Sequence, residues 1–213
     1  MKVSVIGGAG YVGLITALGA SSMGHEVIAT DIDEKKVKNL KINLSPIYEE
    51  NLDSLLEFCN SNNKITYTTN SNDAIKNSDL VIISVGTPTK INGEIDLSQV
   101  ETVTKYLKDS IKNYTLIVIK STLPITAVNV MKKELDEKFK SGIDYDIISN
   151  PEFLREGRAV HDFYNPDRIV IGGDSQKSIN ILKEFYLPLL KRNLNIPSDI
   201  LILERETPIV ETN

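Results

Sequence analysis

A chain of 213 residues is long enough for one sizeable core, or for one large domain with an appendage. Its hydrophobic share of 41% and charged share of 25% are those of a soluble globular protein, and a net charge of −5 argues against nucleic acid or an anionic membrane as the main partner. No apolar run approaches the ~20 residues of a spanning helix, and the N-terminus, MKVSVIGGAG, lacks the apolar stretch and cleavage site of a secretory leader. The single cysteine, Cys59, excludes an internal disulfide framework and fits a reducing cytoplasm. No set of metal ligands stands out.

Strands and helices alternate along the chain, without internal repeats or low-complexity linkers. KVSVIG is a β-branched apolar run, hence a buried strand. YVGLITALGASSMG carries apolar and small residues at helical spacing and stops at Gly24. HEVIATD is a second strand ending in an acid. DEKKVKNLK and EENLDSLLEFC read as helices, KITYTT as a short strand, and SNDAIKNS as a short helix capped by Ser71. DLVIISVGTP is a strand entering a Gly-Thr-Pro turn, and DLSQVETVTKYLKDSI is an amphipathic helix. TLIVIKST is a strand, followed by PITAVNVMKKELDEKF, a helix with proline in its first turn. YDIISNPEF and RIVIGG are strands, SQKSINILKEFYLPLL is a helix, and DILILE is the last strand.

This βαβα order implies an α/β fold: a doubly wound, mostly parallel sheet with helices on both faces. Such sheets bind ligands outside the carboxyl ends of their strands. GGAGYVG, Asp31, VGTPT, KSTLP and NPEFLREG all follow strands, so they converge on one edge. The whole chain is expected to form a single domain, with a core over about 1–203 and a tail over 204–213.

GGAGYVG lies between the first strand and the first helix. Gly8, Gly10 and Gly13 fit G-x-G-x-x-G, while Gly7, Gly10 and Gly13 fit a longer spacing. In either register, small residues let the backbone approach a pyrophosphate at a helix N-terminus, where free N–H groups favour an anion. Asp31, 18 residues beyond Gly13, accepts from ribose hydroxyls and repels a 2′-phosphate, which favours NAD over NADP. The blander reading is a glycine-rich turn beside a solvated aspartate. Lys35 and Lys36 follow closely, either as a solvated helix start or near the adenosine end.

Four longer blocks, DIDEKKVKNLKINLSPIYEENLDSLL, SVGTPTKINGEIDLSQVE, KSTLPITAV and NPEFLREGRAVHDFYNPDRIVIG, resemble, in order, those of the UDP-glucose/GDP-mannose dehydrogenase family. The resemblance spans almost the whole chain and lies nearest the UDP-glucose 6-dehydrogenase branch. It implies a Rossmann-type domain and an oxidation of the C6 alcohol of a nucleotide sugar, UDP-glucose first, by two NAD in turn. The family passes through a cysteine-bound thiohemiacetal and a thioester, which water opens to the uronic acid. Tyr11 lies within the matched GYVG turn. Val12, Asp31, Lys36, Thr87, Thr122 and Glu156 match cofactor-contacting positions. Glu152, Phe153, Leu154, Arg155 and Glu156 match a segment lying along the nucleotide sugar. Glu152 matches a base for thioester hydrolysis, and Thr122 a residue that helps place the water. The chemistry fits: hydrolysis needs a carboxylate within reach of a water, and a threonine hydroxyl both donates and accepts. Arg155 serves either the ligand or a neighbouring glutamate that holds the loop.

Two departures stand against the resemblance. The family's glycine loop is usually one residue shorter. The sequence also stops at Asn213, before the family's central helix, with its lysine and asparagine, and the domain with the nucleophilic cysteine. Cys59 reads as a helix packing residue, and His25 and His161 as loop residues. The expectation is therefore the NAD-binding half of a homodimeric enzyme, inactive alone, with GDP-mannose as the alternative substrate. Its tail, ERETPIVETN, is expected to be poorly anchored, or anchored only by another copy. A non-catalytic NAD-binding module is the competing reading. A short-chain epimerase is set aside, because none of the eight tyrosines has a lysine four positions later.

Overall fold

The computed structural model describes residues 1–212. The strands are β1 (Lys2–Ile6), β2 (Glu26–Thr30), β3 (Ile65–Thr68), β4 (Leu80–Ile83), β5 (Thr115–Ile119), β6 (Tyr145–Ser149), β7 (Ile169–Gly172) and β8 (Ile209–Thr212). They form one sheet in the order β3-β2-β1-β4-β5-β6-β7-β8. Every neighbouring pair is parallel except β6 with β7. The helices are α1 (Tyr11–Ser22), α2 (Glu34–Leu40), α3 (Leu52–Ser61), α4 (Ser71–Lys76), α5 (Ser98–Ser110), α6 (Ile125–Asp136), α7 (Ala159–Tyr164) and α8 (Gln176–Leu190). No helix among the described residues is long and apolar enough to cross a membrane.

The central strands are almost wholly apolar because each faces a core on both sides. Alternate side chains divide between them. Leu80, Ile82, Leu116 and Val118 join Leu14, Leu18, Leu55 and Phe185 on one face. Val81, Ile83, Ile117 and Ile119 join Val103, Leu107 and Met131 on the other. The strand order reverses between β1 and β4, which opens a crevice at their carboxyl ends.

Four local expectations are corrected. Asn70, not Ser71, caps α4: its side chain accepts from Asp73 N, while the Ser71 hydroxyl is turned inward to Thr30 Oγ1 at 3.0 Å. β6 ends at Ser149, and Pro151 has no N–H with which to extend the ladder. The stretch AVHDFY, unassigned from sequence, forms α7. DILILE is not a strand; the last strand is β8, inside the tail, paired in parallel with β7 from Ile169↔Ile209 to Gly172↔Thr212.

The tail is therefore anchored within its own chain. Asn165 explains why 199–204 is irregular. Its Nδ2 donates to Leu201 O at 2.8 Å and its Oδ1 accepts from Leu203 N at 2.6 Å, so one side chain satisfies backbone groups that a strand would have paired. Arg192 donates to Tyr164 O at 2.7 Å and Arg205 O at 2.9 Å. Arg205 pairs with Asp167 at 2.8 Å, and Lys183 pairs with Glu211 of β8.

Candidate functional site

The glycine turn fills the crevice between β1 and β4. Gly7 has φ +80, and a Cβ there would lie 2.6 Å from Ser84 O at the end of β4. Gly7 therefore makes the tight left-handed turn that the sequence left open between Gly7 and Gly8. Gly8 is buried, and its N–H already donates to Thr30 O at 2.8 Å, so it supports the site from beneath. A Cβ on Gly13 would lie 2.0 Å from Gly7 O, which fixes the close contact of turn and helix. Gly10 starts α1 without a side-chain cap. The first amides of the helix, at Tyr11, Val12 and Gly13, are thus left for an anion at its positive end.

Asp31 ties this turn to the end of β2. Its Oδ2 accepts from Ala9 N and its Oδ1 from Asp33 N, each at 3.1 Å, which orients the carboxylate at the mouth of the crevice. The remaining lone pairs suit vicinal ribose hydroxyls. Lys36 lies on α2, half-buried, and its ammonium makes no hydrogen bond among the described residues. The loops after β4 and β5 are stitched together. Thr87 Oγ1 donates to Thr122 O at 3.3 Å, and Ser121 Oγ to Val85 O at 2.7 Å. Thr122 is exposed beside this junction.

The segment after β6 is held from several sides. Asn150 is 1% exposed; its Nδ2 donates to Val170 O at 2.7 Å, and its Oδ1 accepts from Tyr186 at 2.6 Å. The Glu152 carboxylate turns back to accept from Leu154 N. Phe153 is exposed, with the Arg168 guanidinium 4.8 Å from its ring centroid. Leu154 packs against the core. Arg155 does not pair with a glutamate. It grips Asp162 through Nε at 2.9 Å and Nη2 at 2.6 Å, and its N–H adds a third bond at 3.0 Å. These bonds hold the Asp162 carboxyl down at about 2, although burial opposes them. Arg155 thus shapes the loop, and its guanidinium is largely committed. Glu156 is exposed at the loop's end.

Several residues of the site were not singled out from the sequence. Glu49 is buried and accepts from Gly157 N at 2.8 Å and Ala159 N at 2.9 Å. Lys120 is 7% exposed, and among the described residues its ammonium donates to Asn150 O, at 3.5 Å, and lies 6.0 Å from the centroid of the Tyr186 ring. With Glu152, Phe153, Arg155 and Arg168 it lines a cleft of about 460 Å³. A lysine directly after a five-residue apolar strand was the available signal for Lys120. Glu49 had none, since its partners lie 108 and 110 positions away.

The remaining reactive side chains are structural. Cys59 is 1% exposed, and burial pushes its thiol up to about 12. His25 lies in the connection between α1 and β2, as expected, whereas His161 does not lie in a loop. His25 is buried, stacked on Phe185 with centroids 4.8 Å apart, and bonded to Phe185 O at 2.9 Å. His161 lies on α7, with its Nδ1 3.3 Å from Asp162.

A family model described as "UDP-glucose/GDP-mannose dehydrogenase family, NAD binding domain" matches residues 1–190. The chain belongs to this family. Its cofactor is NAD, and the uncapped helix, the glycine cradle and Asp31 fit that dinucleotide. UDP-glucose 6-dehydrogenase TuaD of Bacillus subtilis is 39% identical over 197 residues, which is 91% of this chain and 42% of that protein. UDP-glucose 6-dehydrogenase of Rickettsia bellii is 42% identical over 189 residues, 89% of this chain and 43% of that protein. A ternary complex of GDP-mannose dehydrogenase from Pseudomonas aeruginosa superposes with a TM-score of 0.86 at 33% identity, over 100% of this chain and 46% of that one. The chain thus spans less than half the length of these relatives.

Proposed function

We propose that this chain is the NAD-binding half of a nucleotide-sugar 6-dehydrogenase that oxidises UDP-glucose to UDP-glucuronate. The observation that carries this reading is the convergence of four loops, after β1, β4, β5 and β6, on one edge of an NAD-binding sheet. When bound, NAD supplies the hydride acceptor. The chain's own residues hold it and line the sugar. The turn at Gly7 and the open amides of α1 hold the pyrophosphate, and Asp31 holds the adenosine ribose. Val12, Lys36, Thr87 and Glu156 complete the cofactor's surroundings. The extended backbone of Glu152–Glu156 lies along the sugar. In the hydrolytic step Glu152 takes a proton from a water that the Thr122 hydroxyl helps to place. The bond from Leu154 N occupies only Oε2 and orients the carboxylate, which leaves Oε1 for that water.

GDP-mannose is the second reading. The likeness to a GDP-mannose dehydrogenase favours it. Residue-resolved NMR on the NAD-loaded chain separates the two. UDP-glucose is expected to shift the amides of Glu152–Gly157 at lower concentration than GDP-mannose does. The reverse order would give the site to GDP-mannose, and no shift with either sugar would remove the sugar assignment from this loop.

A further inference from the structure

Glu49 belongs to none of the motifs that follow the strands, yet it touches the segment that carries Glu152 and Glu156. Its side chain is 6% exposed, and both oxygens are used, Oε1 by Gly157 N and Oε2 by Ala159 N. Gly157 has φ +82, so the chain turns there from the loop into α7. That helix begins at Ala159, and Arg158 in the N-cap position gives it no side-chain cap. A carboxylate brought from elsewhere in the fold therefore closes the loop, through two charge-assisted bonds.

A third potential donor lies near the same carboxylate. The Tyr11 hydroxyl, in the first turn of α1, is buried beside the Glu49 carboxylate and closes no hydrogen bond of ordinary length among the described residues. Burial, and then the charges of Glu49, Glu156 and Glu152 in that order, push its pKa above the ordinary phenol range. The hydroxyl thus stays protonated and meets these carboxylates as a donor. A buried donor left unpaired is costly, so closing this bond is favourable.

We propose that Glu49 is a positioning residue for both subsites. It holds the 152–157 loop through Gly157 and Ala159, and it ties that loop to the glycine turn through the hydroxyl of Tyr11. One carboxylate thereby sets the pyrophosphate turn of the cofactor site against the sugar segment. What the two subsites hold rests on the function proposed above; the tie itself rests on the contacts of Glu49.

Residue-resolved amide exchange without ligand tests the tie. In Glu49→Gln, one amide bond loses its acceptor and meets an NH2 group. Protection of Gly157 and Ala159 is expected to fall about tenfold or more, with β4 and β5 unchanged. Tyr11→Phe removes a single oxygen and is expected to lower the same two amides by roughly threefold. The double variant should be no worse than Glu49→Gln, as for groups that act through one another. Unchanged exchange at the two amides in Glu49→Gln, or an equal loss across β4 and β5, would overturn the proposal. If Glu49→Gln does not fold, Tyr11→Phe still decides, because unchanged exchange at Gly157 and Ala159 breaks the tie. NAD titration of folded variants adds a readout that simple support of α7 would not move. About tenfold weaker NAD binding in Glu49→Gln, with β4 and β5 intact, is expected; unaltered NAD affinity would leave Glu49 as a cap of α7 and overturn its role in the cofactor site. Failure of the unaltered chain to bind NAD would instead remove the cofactor assignment, and the exchange experiment would still judge the tie.

Discussion

Gly13 has almost no room to change, since an added Cβ would sit 2.0 Å from Gly7 O, a backbone atom. Gly13→Ala must push the helix off the turn. It is expected to cost about 1–3 kcal/mol of stability and to abolish NAD binding, as read by denaturant unfolding and calorimetry. Gly10→Ala meets the same oxygen at 3.2 Å and should be far milder. Two titrating residues give separate pH windows. Burial lowers the pKa of His25 from 6.5, more than its bond to Phe185 O raises it. The unfolded chain therefore takes that proton first, so the stability His25 lends is full above pH 6.5 and declines as pH falls below it. His25→Gln should flatten the slope of stability between pH 7 and about 5. Asp162 is depressed from 3.8 to about 2, chiefly by Arg155, so its contribution is present above 3.8 and lost as pH falls toward 2. Asp31 and the glycines were legible in the sequence because their spacing along the chain is itself the signal. Glu49 and Asp162 were not. Their meaning lies in partners brought together only by folding, and each reads locally as one more acid in a polar stretch.

The βα units were legible as elements because burial on both faces forces long apolar runs, as in LVII of β4 and TLIVI of β5. The end of the chain was not. ILIL at 200–203 and PIV at 208–210 are both apolar, and nothing local says which pairs with β7. The choice is made by Asn165 and Arg192, which capture backbone groups of the first run and of Arg205 and leave the second to form β8. Asn165→Ala is accordingly expected to free residues 201–203 and to cost about 1–2 kcal/mol, because it removes the hydrogen bonds of two part-buried backbone groups. Amide exchange should then quicken in β8 more than in β1. A tail already unprotected in the unaltered chain would restore the expectation of a loose end.

At the scale of the molecule, two cores clamp one sheet, and the edge where its order reverses is left for ligands. The chain taken alone has no thiolate to offer there. Cys59 is buried, and its thiol is pushed up to about 12. The 213 residues assayed by themselves should therefore produce no NADH from UDP-glucose and NAD, because covalent catalysis needs an attacking group. Turnover that survives Cys59→Ala would show that another nucleophile is present. The central claim concerns the cofactor. Calorimetric titration of this chain with NAD and with NADP tests it most directly. NAD should bind, and NADP should bind at least about tenfold more weakly, a difference of ~1.4 kcal/mol that reflects the Asp31 carboxylate against a 2′-phosphate. Asp31→Ala should narrow that gap. Equal affinities for the two dinucleotides, or no heat with NAD, would contradict the account.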